Sequence, residues 1–159
     1  MMRWSLLVRG VGILLLAIQF VRPERTNPPF DPAAELHASV EVSAPVSALL
    51  RTSCYDCHSN ETRWPWYAHV APSSWFVARH VDEGRRHLNF STWGEYPASK
   101  ADHKLEEIVE YVENEEMPLT SYLPLHPEAK LSADDRLVIM DWARWVRERM
   151  ELGDLDEDR

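Results

Sequence analysis

Residues 54–58 read Cys-Tyr-Asp-Cys-His and contain both cysteines of the chain. Two thiols three positions apart, with an imidazole directly after the second, leave few folds open. On a helical turn, positions i and i+3 share a face, and i+4 joins them. Cys54 and Cys57 can therefore reach the two vinyl groups of one porphyrin, while His58 reaches its iron as proximal ligand. C-x-x-C-H is the attachment pattern of c-type haem. With two Cys and seven His in 159 residues, chance gives this arrangement about once in two thousand such chains, so it is read as a site. A zinc site needs four ligands, and the motif offers three crowded ones. A thioredoxin-type disulfide needs a βαβ context, and no stretch here alternates at period two. The motif predicts one covalently attached haem c.

The iron then needs a sixth ligand or an open position. Met117 is the candidate, in Glu115-Glu116-Met117-Pro118, 59 residues beyond His58. A thioether is a soft ligand that favours ferrous iron and raises the potential. Met140 and Met150 fall on or beside an apolar helical stripe and read as core. Six further histidines could supply a second imidazole: His37, His69, His80, His87, His103 and His126. His69 and His126 sit in the two long loops and are the better rivals. His80 and His87 lie two turns apart, about 10.5 Å along one helix, so both cannot ligate one iron.

A haem also needs aromatic walls. Trp64-Pro65-Trp66-Tyr67 follows the motif at once, so Trp64, Trp66 and Tyr67 are expected to line the pocket. Trp142 and Trp145 read as core. A carbonyl near Ala71-Pro72 is a candidate acceptor for His58 Nδ1–H. Arg63, Arg79, Arg85 and Arg86 are candidates to pair with the propionates.

Trp4–Val21 is apolar except for Arg9. As a helix these 18 residues rise about 27 Å, close to the hydrocarbon thickness. The stretch ends in Gln-Phe-Val-Arg-Pro, without the small residues of a cleavage site. Residues 1–22 are therefore expected to be an uncleaved transmembrane signal anchor in the cytoplasmic (inner) membrane, a single pass with the body on the periplasmic or exterior side. Residues 23–45 are rich in proline and read as a tether that hugs the body, with a short helical piece around 33–42. Residues 46–150 show helical periodicity. Leu105, Ile108, Val109 and Val112 form one stripe, and Ile139, Trp142, Ala143, Val146 and Met150 form another opened by Ser132 and Asp135. Val46, Leu50, Cys54 and Cys57 suggest one helix into the motif, and Val77, Val81, Gly84 and Leu88 another after Pro72-Ser73-Ser74. The expected fold is all-α: a cytochrome c-like bundle of about four helices around one haem. Residues 151–159 read as a frayed acidic tail.

The formal net charge is −9, and residues 1–29 carry +3, which leaves −12 on the remaining 130. Such a body suits a redox partner with a basic docking face and excludes nucleic acid, whose phosphates demand Lys/Arg clusters.

From about Val46 to Val146 the chain resembles the small bacterial haem-binding domain family, single-haem proteins with an N-terminal anchor. The residues that carry the resemblance are CYDCHSNETRWPWYAHVAPSSW (54–75), EGRRHLNFSTW (83–93) and EEMPLTSYLPLHPEAKLS (115–132). The resemblance implies a variant of the single-haem cytochrome c fold. It implies thioether attachment at Cys54 and Cys57 and proximal ligation by His58, and Met117 matches its Met-Pro element. The function expected is single-electron transfer, without enzyme activity. The alternative is a peroxidase-like enzyme or a redox or gas sensor with an open or displaceable sixth position. An accessory haem module serving a neighbouring complex is not separable from the first reading by sequence.

Overall fold

The computed structural model describes residues 2–157, with residues 2–5, 152 and 154–157 described as backbone only. The regular secondary structure of the described residues is helical, and no strand occurs among them. In chain order the helices are α1 (Met2–Ala17), α2 (Leu36–Ser39), α3 (Ala44–Ser53), α4 (Tyr55–His58), α5 (Ser73–His87), α6 (Ala98–Glu113) and α7 (Ala133–Glu157).

Two of the long helices follow directly from their apolar spacing. α6 buries Ala101, Leu105, Ile108 and Val112, one stripe at helical period. α7 starts on a reciprocal cap, in which Ser132 Oγ accepts from the Asp135 N–H and the Asp135 carboxylate accepts from the Ser132 N–H. Its buried residues Ile139, Met140, Trp142, Ala143 and Val146 meet α6 in a core that also takes Leu50, Tyr55, Phe90 and Trp93. Each fully buried Leu or Ile there contributes roughly 1.5–3 kcal/mol. Trp142 spans the core and donates its indole N–H to the Glu41 carbonyl at 3.0 Å. The short helical piece expected around residues 33–42 is present as a 3-10 turn (Pro32–Ala34) and α2.

Several expectations change. The helix through Val46, Leu50, Cys54 and Cys57 is not continuous. α3 ends at Cys54 (φ −124°, ψ −40°), and α4 starts a new turn whose Cys57 and His58 N–H groups both donate to the Cys54 carbonyl. Residues 151–157 of the expected acidic tail continue α7 to Glu157, and residues 158–159 lie outside the described residues. Trp145 is 38% exposed rather than core, and Arg149 stacks over its ring.

The transmembrane expectation meets a shorter helix. α1 has 16 residues, which rise about 24 Å, and a 3-10 turn (Ile18–Phe20) follows it. No helix among the described residues is long and apolar enough to cross a membrane. The proline-rich stretch lies along the body: Arg25 donates to the Ala68 carbonyl, and Asn27 to the Thr62 carbonyl.

Candidate functional site

The motif helix α4 opens on a cavity of about 350 Å³. Cys54, Cys57 and His58 line it together with Met117. The rest of the wall is mainly apolar: Leu50 from α3, Leu88 and Phe90 after α5, Ile108, Tyr111 and Val112 from α6, Leu119 and Tyr122 beyond it, and Ile139 from α7. A volume and lining of this kind suit a flat organic ligand.

His58 is the most firmly built member. Its Nδ1 lies 3.0 Å from the Gly84 carbonyl and 3.1 Å from that of Leu88. Carbonyl oxygens only accept, so the ring proton sits on Nδ1 and the Nε2 lone pair is left for a metal. The end of α5 supplies both acceptors, and the Gly84 carbonyl also accepts from the Leu88 N–H at 2.9 Å. The acceptor expected near Ala71 is engaged elsewhere, since the Ala71 carbonyl takes a hydrogen bond from Gln19. Burial lowers the pKa of His58, the two carbonyls oppose this, and the neighbouring His87 and Lys104 side chains add to it. The imidazole is therefore neutral at physiological pH, as ligation requires.

Gly84 makes this contact possible. A Cβ there would lie 2.6 Å from the Cys57 carbonyl oxygen and 3.2 Å from the Cys57 Cβ. Only a residue without a side chain lets α5 approach the motif so closely. The thiols are free, and burial pushes Cys54 up to about 12 and Cys57 up to about 11. They rest as thiols, which disfavours thiolate chelation of a soft metal.

Met117 reaches the cavity by another route. α6 ends in a Schellman turn: the Glu116 N–H donates to the Tyr111 carbonyl, the Glu115 N–H to that of Val112, and Glu115 takes φ 59°. This reversal delivers Met117 to the cavity two residues later. Its side chain is half-buried.

The expected aromatic wall lies elsewhere. Trp64 and Trp66 line neither this cavity nor the next, and Trp66 is 74% exposed. The reason is local. Thr62 Oγ1 and the Arg63 N–H bind back to Asp56, and Pro65 opens a 3-10 helix (Trp66–His69) that leads away. The indole N–H of Trp64 is buried without a partner. Phe90, Tyr111 and Tyr122 take the wall positions instead. Tyr111 was the most legible of these, six residues before Met117 on the helix that leads to it.

Tyr67 lines a second cavity of about 160 Å³, which shares Asp56, Cys57, His80, Leu119 and Tyr122 with the first. There the Tyr67 hydroxyl meets His126 Nε2 at 2.7 Å, and the His126 ring stacks on Tyr122 at 4.0 Å. His126 is thus placed outside the main cavity, and His69 is exposed and lines neither. His80 and His87 do line the main cavity. None of the four candidate arginines does. Arg85 donates to Ser59, Thr26, Asn27 and Thr62, and Arg63, Arg79 and Arg86 pair with Asp56, Glu83 and Asp82. The cation that faces the cavity is Lys104, paired with Glu107.

Two thiols, a neutral imidazole with a free Nε2, a thioether and an apolar wall around one cavity make a donor set that fits a haem. The model of the haem-binding domain family matches residues 13–145. The chain belongs to the haem-binding domain family. Comparison with curated proteins and with solved structures gave no match. Membership makes haem the cofactor of the chain, and the walls of the cavity come from five of the seven helices or the segments after them.

Proposed function

We propose that this haem-binding domain is a c-type cytochrome that carries single electrons outside the cytoplasmic membrane. The observation that carries the reading is the meeting of Cys54, Cys57, His58 and Met117 on one cavity, with His58 Nε2 left free by its carbonyl contacts. The thiols would hold the haem through thioethers, His58 would be the proximal ligand and Met117 the sixth. Haem so bound supplies one-electron exchange at its iron, at a potential raised by the thioether ligand. The residues do the rest. Gly84 and Leu88 fix the imidazole, the apolar wall would exclude water, and Lys104, which lines the cavity beside its partner Glu107, would meet a propionate.

The body carries −12, so a partner with a basic face would dock on it with salt-sensitive association. We further propose that the N-terminal segment attaches the protein to the membrane. Leu6, Leu7, Val8, Val11 and residues 13–16 of α1 expose apolar side chains on all sides of the helix, which water disfavours.

A second reading rests on the half-buried position of Met117 in a loop. A ligand so held could be displaced, which suits a peroxidase-like enzyme or a redox or gas sensor. Carbon monoxide added to the reduced protein separates the two. Slow or absent binding at neutral pH is expected of the carrier, and rapid stoichiometric binding would overturn it. Covalent attachment is tested on a denaturing gel stained for haem, where the Cys54→Ala/Cys57→Ala variant should lose the signal that the parent protein keeps.

A further inference from the structure

We infer that the face built by Trp66, Val70 and Phe76 lies against the lipid headgroup layer, so that the haem-binding body is held on the membrane in one orientation. The inference rests on the proposed membrane attachment of α1 and goes on to say which side of the body meets the bilayer.

The first observation is where the chain leaves α1. The Gln19 side-chain amide pairs with both backbone groups of Ala71, donating to its carbonyl at 3.0 Å and accepting from its N–H at 2.9 Å. Trp75 donates its indole N–H to the Val21 carbonyl at 2.7 Å. Arg25 donates to the Ala68 carbonyl at 2.8 Å. These bonds fasten the end of the apolar helix to residues 68–75, rather than leaving it on a free tether.

The second observation is what surrounds that fastening. Trp66, Val70 and Phe76 are 74%, 47% and 54% exposed. Elsewhere in the body the aromatic side chains of Tyr55, Phe90, Trp93 and Trp142 are buried. An exposed Trp and Phe beside the root of an apolar helix match the chemistry of the headgroup layer, where aromatic side chains are favoured.

Charge agrees. The body as a whole is strongly acidic, yet residues 62–81 contain no Asp or Glu, and their Arg63 and Arg79 pair with Asp56 and Glu83. Arg22 and Arg25 follow the 3-10 turn after α1, with Glu24 between them. This face therefore meets anionic headgroups without repulsion, and basic residues beside an apolar segment strengthen such binding. A protein partner fits less well. It would have to cover α1 and the patch together, whereas a bilayer covers both with one surface. Phe76 also lines the second cavity, which Cys57 borders.

The test uses the full-length haem-loaded chain mixed with vesicles of equal parts phosphatidylcholine and phosphatidylglycerol. Flotation reads attachment, and hydroxyl-radical labelling of the floated protein reads the buried face. Trp145, 38% exposed on α7, is the internal reference. By exposure alone Trp66 should label faster than Trp145. On vesicles we expect the order to reverse, with labelling of Trp66 and Phe76 falling severalfold while Trp145 is unchanged. A chain that floats but still labels faster at Trp66 overturns the orientation and leaves membrane attachment standing. A chain that does not float overturns both.

Discussion

His58 and Met117 line the same cavity, but they are held in different ways. His58 sits on a helical turn, with two carbonyls on its Nδ1 and α5 pressed against its neighbour Cys57. Met117 hangs from a turn after α6, with its N–H on the Tyr111 carbonyl and its side chain half-buried. One side is built into the packing of the domain, and the other is perched on a loop. The difference suits a metal site whose proximal ligand must never leave and whose sixth ligand sets the potential. It also says where damage should be global and where it should be local.

The largest effect should come from Gly84→Ala. The new Cβ meets a backbone carbonyl, which cannot swing away, so α5 must shift off the motif. Overpacking of this kind costs about 1–3 kcal/mol, more than the gain in helix propensity. Chemical denaturation should show the loss, and haem retained per chain should fall. Unchanged stability and haem content would mean that the close approach to Cys57 does not matter.

Glu35→Gln tests the same side from behind the motif. Burial pushes the Glu35 carboxyl up, but hydrogen bonds from Tyr55 and His37 outweigh it and hold it below the ordinary 4.5. A folded pKa below the unfolded one gives stability that is fully present above 4.5 and is lost as pH falls through the folded value. Acid unfolding should therefore be shallower in Glu35→Gln than in the parent below pH 4.5, with the variant less stable at neutral pH by about 1 kcal/mol. Parallel acid curves would remove Glu35 from this role.

On the loop side the effects should be smaller in stability and confined to the ligand. Met117→Ala removes a half-buried side chain and should cost less than about 2 kcal/mol, the lower end for a core Met, while opening the sixth position to carbon monoxide. Arg136→Met breaks the 2.9 Å pair with Glu115, at the turn that delivers Met117. Glu115 is largely exposed there, so the thermal midpoint should move by the equivalent of about 0.2–1 kcal/mol. A loss of His58 ligation in either variant would contradict the division between a built side and a perched one.

Much of the fold could be read in the sequence wherever one physical rule acted alone. The α6 stripe and the Ser132–Asp135 cap needed only periodicity and capping. Where chemistry fixes spacing, the sequence pointed to Cys54, Cys57 and His58, and the three line one cavity. The site was illegible where three-dimensional closure decides. Nothing local shows that Gly84 and Leu88, rather than Ala71, meet His58 Nδ1. Nothing local turns Trp64 and Trp66 away, because that follows from the bonds of Thr62 and Arg63 to Asp56. The four arginines looked free as a list of charges, yet each has a nearer partner than the cavity. Charge marks the stretch beyond residue 150 as solvated, and its Glu and Leu are also good helix formers, so α7 runs on to Glu157.

The most direct measurement is the absorption spectrum, oxidised and reduced, of protein made with the c-type maturation machinery, beside Met117→Ala. A His58/Met117 site predicts covalently retained low-spin haem, with a methionine–iron charge-transfer band that Met117→Ala abolishes. High-spin haem in the parent protein, or a band untouched by Met117→Ala, would contradict the ligand pair. No retained haem at all would contradict the c-type reading altogether.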